Sequence, residues 1–301
     1  MSIRIGIDLG GTKIEVIALN CDGHNLIRER TATPKDNYQD ILRATVDLVN
    51  RVEEKTGEQG TIGVAIPGAI SLATGKIKNS NTICMIGNDF AGDLASVLQR
   101  PVRLCNDANC FTLSEAVDGA GQGAAVVFGV ILGTGVGGGI TVNGNILTGI
   151  NAIAGEWGHN PLPWPMPDEL PGPACYCGHY GCIETFLSGP GFSGDYKFIS
   201  GGSDVDARTI LDLSRNGDET AKATLERYCD RFARSLANVI NIIDPDVIVV
   251  GGGLSNIHEL YTRVPELWTQ YIFSDRVDTQ LKPAKHGDSS GVRGAAWLWP
   301  S

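Results

Sequence analysis

Three cysteines and one histidine in a short stretch of the sequence have the residue types and spacing of a metal site. The cysteines, spaced C-x-C-x4-C, are Cys175, Cys177 and Cys182, and His159 precedes them. Zn²⁺ favours such a tetrahedral set of thiolates and imidazole, and a site with four protein ligands is closed and therefore structural. The stretch predicts a structural zinc site. His179 is an alternative fourth ligand, and a set of buried or disulfide-bonded cysteines is the alternative to a metal.

Two carboxylates stand close to these metal ligands in the sequence. Glu156 precedes His159 by three residues, and Glu184 follows Cys182 by two. A metal that fixes both segments would hold both carboxylates beside it. Carboxylates held side by side suit the vicinal hydroxyls of a sugar, because each accepts several hydrogen bonds. The alternative is that both are ordinary surface glutamates.

A glycine turn near the start of the chain has the composition of a phosphate-binding loop. The strand Ile3–Asp8 leads into LGGTK (Leu9–Lys13), and a second strand, Ile14–Leu19, follows. Glycines let backbone N–H groups approach an anion, and Thr12 adds a hydroxyl. The same pattern also fits an ordinary hairpin. It is neither a Walker loop nor a dinucleotide fingerprint, because a strand follows the glycines.

The same order of strand, glycine turn and strand returns later in the chain. Val126–Leu132 leads into GTGVGGG (Gly133–Gly139), which is followed by Ile140–Val142. So many glycines are hard to explain in a plain hairpin, because each costs conformational entropy on folding. The repetition predicts a duplicated fold with one phosphate loop in each lobe, the two loops facing each other across a cleft.

Two further segments place functional groups at the ends of strands. The strand Pro101–Asp107 ends in Asn106-Asp107, where ligands bind in open α/β sheets, so Asp107 is a candidate general base. Position alone favours a helix N-cap for it. The strand Asp246–Leu254 carries Gly251–Gly253 into a predicted helix, a place for a flat ring or a phosphate. Close packing of helix and strand is the alternative.

Composition limits the class of protein and its partners. The chain has 301 residues, 42% of them hydrophobic, which is enough for two domains with a large core. A net charge of −10 argues against nucleic acid or an anionic membrane as a partner. With no signal peptide and no long apolar run, we expect a soluble, cytoplasmic protein with reduced cysteines. Periodic apolar residues predict helices over Asn37–Lys55 and Thr220–Ile243.

In their order along the chain, these motifs resemble the ROK family of sugar kinases and sugar-responsive repressors, within the actin/hexokinase superfamily. The motifs are DLGGTK (Asp8–Lys13), IPG (Ile66–Gly68), NDAN (Asn106–Asn109), GTGVGGG (Gly133–Gly139), GEWGH (Gly155–His159), CYCGHYGCIE (Cys175–Glu184) and VVGGG (Val249–Gly253). The resemblance implies an α/β fold of two RNase H-like lobes with a cleft between them. We expect an N-terminal lobe of residues 1–118, completed by a C-terminal helix over about residues 288–301, and a C-terminal lobe of residues 119–287.

The resemblance also implies roles for particular residues. Asp107 matches the catalytic base, and Asp8 a position near Mg²⁺. The sugar-contacting positions are Gly68, Asn106, Asp107, Glu156, His159 and Glu184. The ATP-binding positions are Asp8, Gly10, Gly11, Thr12, Lys13, Gly133, Thr134, Gly135, Gly137, Gly251, Gly252 and Gly253. His159 would bind zinc through one ring nitrogen and a sugar hydroxyl through the other.

Within the family, two segments look most like bacterial fructokinases, AGEWGHNPLPW and KHGDSSGVRGAAWLWP. The resemblance therefore implies ATP-dependent phosphorylation of fructose, and also mannose, at the 6-hydroxyl, with Mg²⁺ and a structural zinc, in a homodimer. A glucokinase or an N-acetylhexosamine kinase is the alternative. A sugar sensor without catalysis is less favoured because Asp107 and both loops are present. A DNA-binding repressor is less favoured because only Met1 and Ser2 precede the first strand.

Overall fold

The computed structural model describes residues 3–35, 37–80, 82–202 and 204–300. The outer limits expected for the lobes, residues 1 and 301, lie outside these ranges. The strands are β1 (Arg4–Leu9), β2 (Lys13–Leu19), β3 (Asn25–Ala32), β4 (Thr61–Ile66), β5 (Ala69–Ile70), β6 (Ile77–Lys78), β7 (Val102–Asn106), β8 (Val126–Leu132), β9 (Val136–Val142), β10 (Asn145–Ile146), β11 (Val247–Gly251) and β12 (Gln280–Pro283). The helices are α1 (Tyr38–Thr56), α2 (Phe90–Leu98), α3 (Asp107–Val117), α4 (Ile183–Leu187), α5 (Gly189–Ser200), α6 (Ala207–Arg215), α7 (Glu219–Ile243), α8 (Leu260–Leu267) and α9 (Ser290–Ala296).

The chain forms two compact units. The first contains the described residues of Met1–Gly123, Gly139–Ala154 and Lys285–Ser301, and the second contains Ala124–Gly138 and Gly155–Ala284. The boundary therefore falls inside β9. Among the described residues, no helix is long and apolar enough to cross a membrane.

The first unit is built on a five-stranded sheet with the order β3-β2-β1-β4-β7. β1, β4 and β7 are parallel, with Asp8 opposite Ala65 and Ile66 opposite Asn106. The carboxyl ends of these three strands therefore meet at one edge of the sheet. β2 and β3 continue the sheet in antiparallel fashion.

Helix α9 packs unusually close to this sheet and to α3. A Cβ atom at Gly63 would lie 1.9 Å from the carbonyl oxygen of Ala295, and one at Gly6 would lie 2.0 Å from that of Val292. A Cβ at Gly294 would lie 1.6 Å from the carbonyl oxygen of Cys110. Glycine is required at these positions because nothing larger fits between the backbones. This packing fixes α3 against the edge of the sheet.

The second unit contains the strands β8, β11 and β12, which run parallel in the sheet order β10-β9-β8-β11-β12. The helix expected over Thr220–Ile243 is α7, which starts one residue earlier with Asp218 as its N-cap. The helix expected directly after Gly251–Gly253 is absent from the described residues there. A 3-10 turn over Gly253–Asn256 takes its place, and α8 begins only at Leu260.

The proline-rich segment of residues 160–173 is held on α7 by buried ion pairs. Glu169 accepts hydrogen bonds from Arg231 Nε at 2.7 Å and from Arg234 Nη2 at 2.9 Å. Asp195 of α5 lies 3.0 Å from Arg231 Nη1. Burial alone would raise the pKa of Glu169, but the hydrogen bonds from Arg234 and Arg231 outweigh burial and lower that pKa to about 2. The prolines therefore belong to an ordered loop.

Candidate functional site

Asp107 lies at the carboxyl edge of the first sheet, in the first turn of α3. The N-cap of α3 is its neighbour Asn106, whose Oδ1 accepts hydrogen bonds from the amides of Ala108 at 2.9 Å and Asn109 at 3.2 Å. The capping role therefore belongs to Asn106 rather than to Asp107. Asp107 Oδ1 accepts from the amide of Ala108 at 2.8 Å.

Asn106 also connects α3 to the end of β4. Its Nδ2 donates to the carbonyl oxygen of Gly68 at 2.9 Å. Gly68 has φ +97°, and a Cβ there would lie 2.6 Å from the carbonyl oxygen of Lys78. Glycine is therefore required at this turn, which the sequence singled out only through the resemblance.

Asp8 lies at the same edge, beside Asp107. The pKa of Asp8 is raised to about 6, first by burial and then by the carboxylates of Asp107 and Glu15, while Lys13 acts in the opposite direction. The carboxylate of Asp107 raises the pKa of Asp8, and neighbouring carboxylates form a place where a cation is favoured. The donor set therefore fits Mg²⁺, which binds through few carboxylates together with phosphate oxygens.

The first glycine turn begins one residue after Asp8 and has the hairpin form that was one of the two expectations. The amide of Gly10 donates to the carbonyl oxygen of Lys13 at 2.9 Å, and the amide of Thr33 donates to that of Thr12 at 3.0 Å. Gly11, Thr12 and Lys13 are exposed. Their backbone and the Thr12 hydroxyl are therefore accessible to an anion.

The second glycine turn and the third glycine segment are adjacent in the second unit. Gly133 donates its amide hydrogen to the carbonyl oxygen of Gly135 at 2.9 Å, which closes the turn after β8. Gly252 has φ +82°, and a Cβ there would lie 2.3 Å from the carbonyl oxygen of Leu132. The amide of Gly189, at the start of α5, donates to the carbonyl oxygen of Gly133 at 2.8 Å.

Glu184, expected beside the zinc ligands, also reaches the second glycine turn. Its Oε2 accepts a hydrogen bond from the amide of Val136 at 2.9 Å. A Cβ at Gly135 would lie 2.7 Å from the same oxygen. The carboxylate therefore touches the turn predicted to bind phosphate. The spacing of the motifs in the sequence gave no sign of this contact.

The cysteine and histidine cluster is assembled as predicted. The ligand atoms of His159, Cys175, Cys177 and Cys182 all lie within 4.8 Å of one another. The Sγ atoms of Cys177 and Cys182 are 3.6 Å apart, and Cys175 Sγ is 3.6 Å from His159 Nδ1. A tetrahedral zinc with Zn–S bonds of about 2.3 Å separates its sulfur ligands by about 3.8 Å. The donor set and its spacing therefore fit zinc, with His159 rather than His179 as the nitrogen ligand.

The thiols of this cluster differ in acidity. Burial and then the thiols of Cys177 and Cys175 raise the pKa of Cys182 to about 12. A hydrogen bond from the backbone of His179 lowers the pKa of Cys177. Because zinc binds the thiolate form, ion binding must offset the cost of ionising the buried Cys182.

The second ring nitrogen of His159 is engaged by a residue that sequence reasoning missed. His159 Nε2 lies 3.0 Å from the hydroxyl oxygen of Tyr176, and the two rings are perpendicular with centroids 5.1 Å apart. The resemblance to the family implies a sugar hydroxyl as the partner of this nitrogen. Tyr176 stands between two of the predicted zinc ligands and could have been noticed as the aromatic residue inside C-x-C.

Glu156 precedes the 3-10 turn Trp157–His159 and is exposed. That turn is anchored by Trp157, whose ring packs on Phe128 at 5.5 Å and whose Nε1 donates to the carbonyl oxygen of Gly137 at 3.0 Å. The second unit thus holds Glu156, His159 and Glu184, and the first holds Gly68, Asn106 and Asp107.

A cavity of about 590 Å³ adjoins this part of the second unit. Its wall includes Thr134 of the second glycine turn, Glu184, Cys175 and Tyr176. Cys175 and Tyr176 belong to the cysteine hairpin, residues 174–180, which an antiparallel bridge between Ala174 and Tyr180 closes. One side of α5, with Phe198, forms another part of the wall. Glu184, a predicted sugar contact, and Tyr176, which contacts His159, therefore line the same cavity.

Comparison with known proteins agrees with this arrangement. The profile of the ROK family matches residues 4–301. An N-acetyl-D-glucosamine kinase of Haemophilus influenzae is 42% identical over 302 residues, covering 98% of both proteins. One of Pectobacterium atrosepticum is 40% identical over 297 residues, covering 97% of both. The crystal structure of a ROK hexokinase from Thermus thermophilus superposes with a TM-score of 0.86 at 30% identity, covering 98% of this chain and 96% of that one.

These matches, together with two glycine turns and a cysteine cluster, define an α/β sugar kinase with two units. The chain belongs to the ROK family. It is an ATP-dependent sugar kinase, as the resemblance implied. The finer expectation of a fructokinase is not supported by these relatives, which are named N-acetyl-D-glucosamine kinases.

Proposed function

We propose that this kinase transfers the γ-phosphoryl group of ATP to the 6-hydroxyl of a hexose, with Asp107 as general base. The observation that carries this proposal is the position of Asp107 at the carboxyl edge of the first sheet, with its helix capped by Asn106. A carboxylate there is held by the backbone while the capping function is met by its neighbour. In open α/β sheets, ligands bind at this carboxyl edge, so a general base for a bound sugar hydroxyl is expected there.

In the proposed reaction, Asp107 accepts the proton of the sugar hydroxyl while that oxygen bonds to the γ-phosphorus of ATP. The bond between this phosphorus and the bridging oxygen breaks, and ADP leaves with those electrons. General base catalysis of this kind contributes about 10²- to 10⁴-fold to a rate. Most of the remaining acceleration in phosphoryl transfer comes from positioning and charge stabilisation.

The remaining predicted residues are proposed to bind the two substrates. Gly68, Asn106, Glu156, His159 and Glu184 contact the sugar, and the three glycine segments contact ATP. Mg²⁺ beside Asp8 supplies charge neutralisation for the phosphate oxygens when bound. The carboxylate of Asp107 near Asp8 supports this assignment, because neighbouring negative charges favour a cation. Zinc is proposed to fix the hairpin that carries Tyr176 and the approach to Glu184.

Among hexoses, N-acetyl-D-glucosamine is the first candidate because the two curated relatives at 40% and 42% identity carry that name. Fructose, together with mannose, is the second candidate. It is favoured by the segments AGEWGHNPLPW and KHGDSSGVRGAAWLWP, which look like those of fructokinases. We also propose a homodimer, which the resemblance to the ROK family implies. Sedimentation equilibrium measures the oligomeric state and tests this proposal.

The test is ADP release with Mg·ATP over a panel of N-acetylglucosamine, N-acetylmannosamine, fructose, mannose and glucose. We expect turnover on at least one hexose that is lost in Asp107→Asn. Preference for an N-acetyl sugar supports the first candidate, and preference for fructose or mannose supports the second. A wild-type protein with no turnover on any of these sugars contradicts the proposed hexose kinase.

A further inference from the structure

We propose that Glu15 is a positioning residue for the first glycine turn, Leu9–Lys13, and that it holds the Lys13 ammonium group where it meets the phosphate chain of ATP. This inference rests on the proposed kinase function, which brings ATP phosphates to this turn. It follows from the burial of Glu15, from the three cations around it and from the anchoring of the turn next to β3.

Glu15 is a buried carboxylate on β2. It is 1% exposed, and Arg28 and Arg30 of β3 donate their Nε–H groups to its two oxygens at 2.5 Å and 2.7 Å. A buried carboxylate is stable as an ion only when it is paired and hydrogen-bonded. The two arginines therefore fix both the charge and the position of Glu15.

The strand register brings Glu15 next to the proposed magnesium site. Glu15 pairs with Asp8 of β1 on one side and with Arg30 of β3 on the other. Residues directly opposite each other on neighbouring strands point to the same face of a sheet, and such strands lie about 4.8 Å apart. Glu15 and Arg30 therefore lie on the same face as Asp8, beside the place where phosphates are proposed to bind.

The backbone of the glycine turn is fixed by Thr33, which follows β3. The Thr33 hydroxyl donates to the carbonyl oxygen of Gly10 at 2.6 Å, and its amide donates to that of Thr12 at 3.0 Å. Gly10 donates its own amide hydrogen to the carbonyl oxygen of Lys13 at 2.9 Å. These bonds fix the main chain of Lys13, but they do not act on its flexible side chain.

Glu15 is the group that acts on that side chain. Lys13 Nζ lies 3.5 Å from Glu15 Oε2, and the Lys13 side chain is 46% exposed. Because the three cations outnumber the one carboxylate, the ammonium group keeps its attraction for phosphate. Glu15 thus directs Lys13 without cancelling the positive charge that an anion requires.

A purely electrostatic role of Glu15 predicts the opposite effect of its removal. Loss of a negative charge beside a phosphate site strengthens anion binding, whereas loss of a contact that preorganises the site weakens it. The variants Glu15→Gln and Glu15→Asp separate these roles. The first removes the charge with little change of shape, and the second keeps the charge but shortens the side chain by one methylene group.

The test measures binding of a non-hydrolysable ATP analogue with Mg²⁺ by titration calorimetry, which needs neither a sugar nor turnover. Lys13→Met, both Glu15 variants and the double variant of Lys13→Met with Glu15→Asp are compared with the wild type. The matched control is Glu29→Gln on β3, because the carboxylate of Glu29 also pairs with two cations, Arg51 and Lys55. KM for ATP, KM for the sugar and thermal unfolding are measured for each protein.

We expect Lys13→Met to weaken nucleotide binding by about tenfold or more, the size of a hydrogen bond between charged groups. Each Glu15 variant should weaken it by about two- to fivefold, the size of a partly exposed ion pair. The double variant should bind no more weakly than Lys13→Met, because Glu15 acts through Lys13. KM for ATP should rise in parallel, KM for the sugar should not change, and Glu29→Gln should match the wild type.

Several outcomes overturn the proposal. Unchanged binding in both Glu15 variants, or tighter binding in Glu15→Gln, excludes a positioning role. Additive losses in the double variant show that Glu15 acts without Lys13. Glu15 variants that fail to fold, or that raise both KM values equally, show a structural role. Unchanged binding in Lys13→Met contradicts the proposal whatever the Glu15 variants do, and this variant should fold because the Lys13 side chain is partly exposed.

This proposal and the proposed function fail in different ways. If the wild type phosphorylates a sugar and the Glu15 variants bind the nucleotide normally, only the role of Glu15 is wrong. If the wild type binds the nucleotide but phosphorylates no sugar, the kinase proposal is wrong and calorimetry still decides the role of Glu15. A wild type that neither binds the nucleotide nor phosphorylates any sugar overturns both.

Discussion

Asp107 in the first unit and His159 in the second are held by different means. Asp107 stands where a strand becomes a helix, and that helix is fixed by backbone packing so close that Gly294 admits no side chain. His159 stands in a 3-10 turn beside a short hairpin, among three thiols that suit an ion. The first arrangement depends on shape, and the second depends on ligands whose contribution changes with metal supply.

This difference predicts which kind of change disturbs each part of the site. A change in backbone packing should disturb the first unit and leave metal binding intact. Removal of the metal should disturb the hairpin of the second unit and leave the packing of α3 and α9 intact. Variants that alter one unit at a time therefore separate these two effects.

Asp107→Asn should abolish most of the activity without affecting the fold. Because the amide cannot accept the proton of the sugar hydroxyl, we expect kcat to fall by about 10³-fold. Sugar affinity by calorimetry and the free energy of unfolding should stay close to the wild type. The control is Asp47→Asn on the exposed side of α1. A kcat above a tenth of the wild-type value in Asp107→Asn would show that another group is the base.

Glu169→Gln should lower the free energy of unfolding by about 3–5 kcal/mol, because it leaves Arg231 and Arg234 buried without their carboxylate. The matched control is Glu226→Gln, which removes an exposed pair with Arg263 and should cost about 0–1 kcal/mol. Urea unfolding of the three proteins at pH 7 measures both. Equal losses in the two variants would contradict the buried role of Glu169.

Because the pKa of Glu169 is lowered, the loss of stability in Glu169→Gln should depend on pH. Its pKa is about 2 in the folded protein against an ordinary value of 4.5, so its stabilising effect is fully present above pH 4.5. That effect is lost as the pH falls through the range from 4.5 to about 2. The difference in unfolding free energy between wild type and Glu169→Gln should therefore narrow over this range. A difference that stays constant would show that the carboxylate is not held as an ion.

Cys177→Ser should reduce zinc content and stability together, since one of four ligands is lost. If free zinc is present at about 100 times its Kd, its removal lowers the free energy of unfolding by about 2.7 kcal/mol. Metal analysis and thermal unfolding with and without a chelator measure these effects, with the exposed Cys21→Ser as control. If the native protein contains no zinc, or if a chelator does not change its thermal unfolding, zinc does not stabilise the hairpin as proposed.

Gly294→Ala should lower the free energy of unfolding by about 1–3 kcal/mol, because the added methyl meets the backbone of Cys110. Zinc content should not change. The control is Gly194→Ala in α5, where a Cβ meets nothing within 4 Å and helix propensity favours alanine by about 0.5–1 kcal/mol. Equal stability of the two variants would show that α9 can move away from α3 without cost.

The sequence alone led to the parts of this site that depend on residue type and spacing. The C-x-C-x4-C pattern with its histidine predicted the cluster. The repeated order of strand, glycine turn and strand predicted two loops, of which only the second has more glycine than a plain hairpin explains. Asp107 was correctly placed at the end of a strand. The N-cap favoured for Asp107 by position was wrong, because the cap is Asn106. The choice between two adjacent capping residues depends on which side chain turns back to the helix.

The parts that sequence reasoning missed are contacts between residues far apart in the chain. Glu169 meets Arg231 across 62 residues, and Glu184 meets Val136 across 48. Neither pair has a periodic pattern or a local motif. Tyr176 lay inside a recognised motif, but its partner became visible only when the orientation of the His159 ring was known. The preferred hexose depends on contacts of this same kind.

The contact between Glu184 and the second glycine turn constrains any redesign of this enzyme. An alanine at position 135 would displace the carboxylate of Glu184, because its Cβ would lie 2.7 Å from Glu184 Oε2. A shorter acid at 184 would free that space and give up the hydrogen bond to Val136. Libraries that aim at a new sugar should therefore vary positions 135 and 184 as a pair, since a change at either one alters the hydrogen bond between Glu184 and Val136.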